Sequence, residues 1–179
     1  MAKSDSFFIR GSVDTNGSTY AQSEVDLGSF VNLGVSKSTL LRIHNISVQY
    51  ADAQNPVDRI SDDTGNNICF QLTTQSQTAI VYATDKSLVS SGSLQMYNGQ
   101  IAEDGSAAAD FATAFVTQHF DVAPQEWTKG YLVGVDSLFI GADAVGTITS
   151  GDVRISLVLE CTLENATQAN SVALALSQQ

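Results

Sequence analysis

The sequence predicts a mainly β protein folded as a two-sheet sandwich, and three observations predict it. Long segments alternate apolar and polar residues with period two, about nine such segments follow one another, and Ser, Thr, Asn, Gln and Gly fill the polar positions more than charge does. Charged residues make up only 15 % of the 179, against roughly 25 % in an average soluble domain. The clearest segment runs from Val153, where Val153, Ile155, Leu157, Leu159, Cys161 and Leu163 alternate with Arg154, Ser156, Val158, Glu160, Thr162 and Glu164. Such a strand buries one face and wets the other.

In chain order, strands are expected over 7–13, 23–31, 39–50, 67–73, 78–83, 93–97, 115–122, 131–140 and 153–163. Within 39–50 the apolar phase slips, because Leu41 and Ile43 share one face while Ile46, Val48 and Tyr50 share the other. One extra residue in a strand has this effect, which places a β-bulge near His44 and Asn45. Asn16-Gly17, Asn98-Gly99 and Asp104-Gly105 tolerate the positive φ of tight turns, and the first separates two strand-like segments as a hairpin turn would. The only prolines, Pro56 and Pro124, fall in loop-like stretches and leave the strands unbroken.

Two segments depart from the β pattern. Ser106 can cap a short inserted helix over 107–115, where alanine dominates. At the C-terminus Ala166, Ala169, Val172, Ala173 and Leu176 form a helical stripe, whereas Val172, Leu174 and Leu176 alternate as in a strand. Ala, Leu and Gln favour the helix, so 165–179 is expected as a helical tail, with an extended tail as the alternative. No fixed-period repeat and no long linker divides the chain, and 1–179 is expected to be one domain.

A chain of this length buries a substantial core without disulfides or metals. Its 19 acidic and 8 basic residues leave a net charge of −11, and the bases are scattered singly along the chain. That surface repels phosphate backbones, so direct nucleic-acid binding is not expected. The N-terminus lacks the apolar stretch of a secretory signal, and no run approaches the roughly 20 apolar residues of a membrane span. The expectation is a protein made and assembled in a cytosol, with Cys69 and Cys161 as buried free thiols inside apolar strands.

Catalytic chemistry finds little to work with. Only His44 and His119 are present, each inside a strand-like run, and both read as structural histidines. Asp62, Asp63, Asn66 and Asn67 make an oxygen-rich loop of the kind calcium prefers, but without the alternating ligand order and closing Glu of a calcium loop, so a solvated turn is the competing reading. Glu103, Asp104, Asp110, Asp121, Glu126 and Asp136 could pair for glycoside hydrolysis, yet their spacing sets none opposite another. Neither a catalytic residue, a cofactor nor a metal is expected. Trp127, in a loop that opens on Pro124 and closes on Gly130, is a candidate subunit contact or ligand platform.

The order of these features resembles the single jelly-roll capsid proteins of icosahedral viruses, particularly marine and archaeal ones. The residues that carry the likeness are the long 39–50 strand, the loop 124–130 leading into Tyr131-Leu132-Val133-Gly134-Val135-Asp136, and the long strand 153–163. The resemblance implies about eight strands in two sheets forming a sandwich or barrel, assembly of copies into capsomers of a virion, and no catalytic residues to carry over. With only Lys3 near the start in place of a basic arm, another layer is expected between shell and genome: an internal membrane, or a separate basic virion protein. The competing readings are a carbohydrate-binding or adhesive sandwich that uses Trp127 and the 62–67 loop, and a phage tail or fibre component.

Overall fold

The computed structural model describes residues 5–33, 35, 37–57, 60, 66–97, 115–145 and 151–178. Among the described residues nine strands carry the fold: β1 Phe7–Asp14, β2 Ala21–Asp26, β3 Ser38–Asp52, β4 Asn66–Thr73, β5 Leu88–Tyr97, β6 Phe115–Val122, β7 Tyr131–Val133, β8 Ser137–Val145 and β9 Val153–Ala166. A helix, α1 Gln168–Ser177, follows the last strand, and a 3-10 turn, Pro124–Glu126, lies between β6 and β7.

The pairing has a simple logic. First with last and so inward, β1 pairs β9, β2 pairs β8, β3 pairs β7 and β4 pairs β5, all antiparallel, which is one long hairpin of paired strands. Two further pairings, β9 with β3 and β8 with β4, roll that hairpin on itself. The result is a four-stranded sheet ordered β1-β9-β3-β7 facing a second sheet ordered β2-β8-β4-β5. That is the jelly roll, two Greek keys in two layers. To it the chain adds β6, a fifth strand on the outer side of β5.

The core lies between the layers and follows from the alternation. Val153, Ile155, Leu157, Leu159 and Cys161 of β9 face inward, opposite Ile68, Phe70 and Leu72 of β4 and Leu138 and Ile140 of β8, all buried. Each fully buried aliphatic or aromatic side chain stabilises by roughly 1.5–3 kcal/mol. Phe70 meets Phe120 edge-on at 5.8 Å and Tyr50 at 6.5 Å. Gly92, between them on β5, makes this possible: a Cβ there would stand 2.8 Å from Phe70 Cε1 and 2.5 Å from the His119 carbonyl oxygen. The predicted bulge is present, since the β3–β9 register shifts between Ile43 and Asn45, so that Leu41, Ile43 and Ile46 all reach the core. The predicted C-terminal helix is α1, capped by the Thr167 hydroxyl accepting from Asn170 N.

Other expectations are corrected. The segment 78–83 forms no strand; it lies across the outer face of β4, where Gln71 donates to the Ala79 carbonyl and accepts from Val81 N. One side-chain amide there replaces a backbone ladder. The strand expected over 23–31 stops at Asp26, whose carboxylate accepts from Gly28 N, and the apolar Leu27, Phe30 and Val31 belong to a turn closed on the Leu27 carbonyl. The segment 131–140 holds two strands in opposite sheets, β7 and β8, with the crossing at Gly134 to Asp136. Asn16-Gly17 does form a turn, with Gly17 at φ +58, but it joins strands of different sheets and is no two-stranded hairpin. Cys161 is buried as expected, whereas Cys69 points outward from β4 and is half-buried. The expected helix 107–115 lies outside the described residues apart from Phe115, which belongs to β6; the turns at Asn98 and Asp104 also lie outside.

Candidate functional site

Among the described residues, the outer face of the five-stranded sheet carries one of two places where a hydroxyl side chain meets an imidazole. Register sets Asp143, Cys69, Ser93 and His119 in a row across β8, β4, β5 and β6. Ser93 Oγ stands 3.0 Å from His119 Nε2, and Asp121 Oδ1 lies 3.9 Å from the same nitrogen. A catalytic triad needs the carboxylate on the other ring nitrogen, where it orients the base, so this is a surface hydrogen bond with an adjacent charge. Burial, and then the charges of Asp121 and Asp143, push the Cys69 thiol up, which keeps it protonated and a poor nucleophile at neutral pH. His44 has an equally structural role, its Nε2 lying 2.8 Å from Thr162 Oγ1 across β3 and β9.

The candidate metal and acid residues do not converge. Asp62 and Asp63 lie outside the described residues. Asn66 begins β4 and is buried, with neither side-chain polar atom hydrogen-bonded. Of the carboxylates considered for acid–base work, Glu103, Asp104 and Asp110 lie outside the described residues, while Asp121, Glu126 and Asp136 are exposed on β6, the 3-10 turn and the β7–β8 turn. Among the described residues no three His, Cys, Asp or Glu side chains could hold a metal ion.

Trp127 sits on the connection that carries the chain from one sheet to the other. Its ring lies 5.9 Å from that of Tyr131, tilted by 37°, and it remains 41 % exposed. Residues distant in sequence hold this turn. Arg42 of β3 forms a two-pronged ion pair with Glu164 of β9 at 2.7 and 2.8 Å and donates to the Lys129 carbonyl at 2.7 Å. The paired carboxylate raises the Arg42 pKa further above its ordinary value. Gln125 both accepts from Ile46 N and donates to Ile46 O, and Gly130, at φ +61, presses its backbone against the Ile43 carbonyl. The result is an aromatic pair on a turn tied to β3 by side-chain hydrogen bonds. Sequence reasoning found Trp127 and missed Arg42, Glu164, Gln125 and Tyr131, because the pairs that connect them are set by register.

Beneath α1 lies a groove of about 560 Å³ lined by Leu40, Leu132, Ala173, Leu174 and Glu164 among others. At Leu132, one of its lining residues, the backbone carbonyl accepts from the Gln178 side chain, which also accepts from Gly134 N.

No protein-family model matches the sequence, and no curated protein is similar to it. Among solved structures, the chain is similar to the VP1 proteins of polyomaviruses. VP1 of human polyomavirus 12, in complex with 3′-sialyllactosamine, aligns at 8 % identity and TM-score 0.45 over 91 % of this chain and all of that one. VP1 of the Trichodysplasia spinulosa-associated polyomavirus, in complex with 3′-sialyllactose, aligns at 9 % and 0.42 over 91 % and 95 %. Merkel cell polyomavirus VP1, in complex with 3′-sialyllactosamine, aligns at 10 % and 0.42 over 89 % and 94 %. The likeness to jelly-roll capsid proteins is diffuse and concerns the fold alone; the fold itself rests on the strand pairing described above.

Proposed function

We propose that this chain is a structural virion protein that assembles with copies of itself into an icosahedral shell. Jelly rolls serve chiefly as capsid subunits, lectin domains and metal-holding cupins. A metal-holding roll needs imidazole or carboxylate ligands aimed inward. Here the facing layers are filled with Ile, Leu, Val and Phe, which leaves the outer surface as the part available for function.

The observation that carries the reading is how the exposed apolar side chains are distributed. Phe8 lies on the outer face of the four-stranded sheet, Val35 before β3, Val57 after it, Tyr82 between β4 and β5, Val116 on β6, Trp127 on the crossing connection, Val145 at the end of β8, and Val172 and Leu176 on α1. A ligand-binding module gathers such residues in one concavity. A subunit surrounded by several neighbours spreads them over its sides, each at a separate contact.

Negative-stain imaging and mass measurement of the purified protein test this. Closed shells, or capsomers of five or six copies, are expected, and a strictly monomeric protein at high concentration refutes the reading. Because the net charge is −11, a membrane or a basic protein separates shell and genome in this reading, the shell assembles in the host cytoplasm, and retention on DNA at neutral pH is expected to be negligible.

The Trp127–Tyr131 platform favours one second reading, a glycan-binding surface in which the exposed indole stacks on a sugar ring. Titration with neutral and sialylated oligosaccharides decides it. Saturable quenching of Trp127 fluorescence supports binding there, and unchanged emission rejects it.

A further inference from the structure

A protein of net charge −11 repels its own copies over most of its surface. The outer face of the four-stranded sheet differs. There β1, β3 and β9 set Arg10, Arg42 and Arg154 beside Asp14, Glu160 and Glu164, so that cations and anions balance. Two of the three possible pairs are made within the chain. Arg42 holds Glu164, and Arg154 holds Asp14 through two hydrogen bonds of 2.7 Å. Among the described residues neither Arg10 nor Glu160 has an ion-pair partner.

These two charges lie at the corners of a four-residue patch. Phe8 and Arg10 flank the buried Ile9 on β1, while Val158 and Glu160 alternate with the buried Leu157 and Leu159 on β9, so all four side chains point outward. The β1–β9 register is unbroken from Phe7 to Asp14 and sets Phe8 opposite Glu160 and Arg10 opposite Val158. The patch is therefore a rectangle, about 4.8 Å across the strands and about 6.7 Å along them. Phe8 and Val158 occupy one diagonal, Arg10 and Glu160 the other. Phe8 is 55 % exposed, with the Arg10 guanidinium carbon 5.9 Å from its ring centre.

We infer that this patch meets the same patch of a second copy about a two-fold axis running along the Phe8–Val158 diagonal. A rectangle of this kind can be laid face to face on itself about four axes in its plane. An axis along the strands covers Arg10 with Val158 and Glu160 with Phe8, and an axis across them buries Glu160 against Val158; both leave the charges unpaired. The Arg10–Glu160 diagonal stacks like charge on like. Only the Phe8–Val158 diagonal brings each Arg10 beside the partner's Glu160, twice over, with Phe8 against the partner's Phe8 and Val158 against the partner's Val158. The strands of the two sheets then cross at about 70°, close to the orthogonal class of sheet packing. Complementary charge fixes this orientation, and an isologous contact closes at two copies.

The contact deepens the shell reading by naming one of its interfaces, and its place in a particle rests on that reading; the pairing itself is tested separately. Arg10 and Glu160 point away from the core, so exchanging their charges leaves the roll intact. Sedimentation equilibrium of the full chain is expected to show a reversible dimer. Arg10→Glu faces carboxylate with carboxylate at both ends of the contact, and Glu160→Arg faces guanidinium with guanidinium. Each is expected to weaken the dimer about tenfold or more. An equimolar mixture of R10E and E160R chains is expected to form a heterodimer of wild-type strength, because both unlike pairs return when one chain of each kind meets. The double variant R10E/E160R should dimerise with itself for the same reason. Single variants that dimerise as tightly as the wild type, or a mixture and a double variant that both fail to regain the dimer, overturn the inference. Particles that still form from the R10E protein refute this contact and leave the shell reading standing, whereas dimers that obey the charge exchange but never build particles refute the shell reading alone.

Discussion

Gly92 shows how one residue organises the sandwich. With no side chain, it lets Phe70 and Phe120 meet edge-on across β5. Gly92→Ala is expected to overpack this contact and to cost about 1–3 kcal/mol, read as a lower urea midpoint with an unchanged slope. The two thiols are also set apart by their positions. Burial, with Glu160 nearby, pushes Cys161 up to about 12, whereas Cys69 is half-buried on the outer face. A thiol reagent at neutral pH is expected to label Cys69 slowly and Cys161 only after unfolding. At the β1–β9 edge, the Arg154 hydrogen bonds hold the Asp14 carboxyl below its ordinary value against the opposing effect of desolvation. A depressed folded-state pKa contributes stability above the unfolded value that is lost as pH falls through the folded one. Stability should therefore decline below about pH 4, and Asp14→Asn should remove a small part of that decline, small because the pair is solvated.

At the scale of elements, the helix and the edges depend on one another. α1 was foreseeable from its Ala, Leu and Gln content, but its docking was not. Gln178, just beyond its end, ties it to β7 through the side chain and to Thr74 through its carbonyl, and Ser171 reaches the Ser38 hydroxyl from within the helix. Gln178→Ala is expected to leave the Leu132 carbonyl and Gly134 N unsatisfied, at a cost of about 1–3 kcal/mol. Faster proteolysis within 168–178, while the strands stay protected, would show that α1 has detached; unchanged cleavage would show that the side-chain bonds contribute nothing. The misread segment 78–83 teaches the same lesson. Ala79, Ile80 and Val81 read like a strand, but they cover β4 through the Gln71 amide, and no local pattern distinguishes a segment that joins a sheet from one that lies across it.

For the whole molecule, the candidate site was legible only in part. Trp127 stood out as the only tryptophan, in a polar loop, yet what holds its turn is Arg42, which bonds the Lys129 carbonyl and reaches Glu164, 122 positions away. The Ser93–His119 contact was equally invisible, being a matter of β5–β6 register. By itself the sequence determined most strands, the bulge at His44 and the C-terminal helix, because period, phase and propensity are local properties of the chain. Only the tertiary structure decided that Phe7 stands beside Cys161, that 131–140 divides between two layers, and that β6 extends one sheet beyond β5. Those facts depend on which distant strands share hydrogen bonds, and alternation says which way a side chain faces without saying which neighbour it will face.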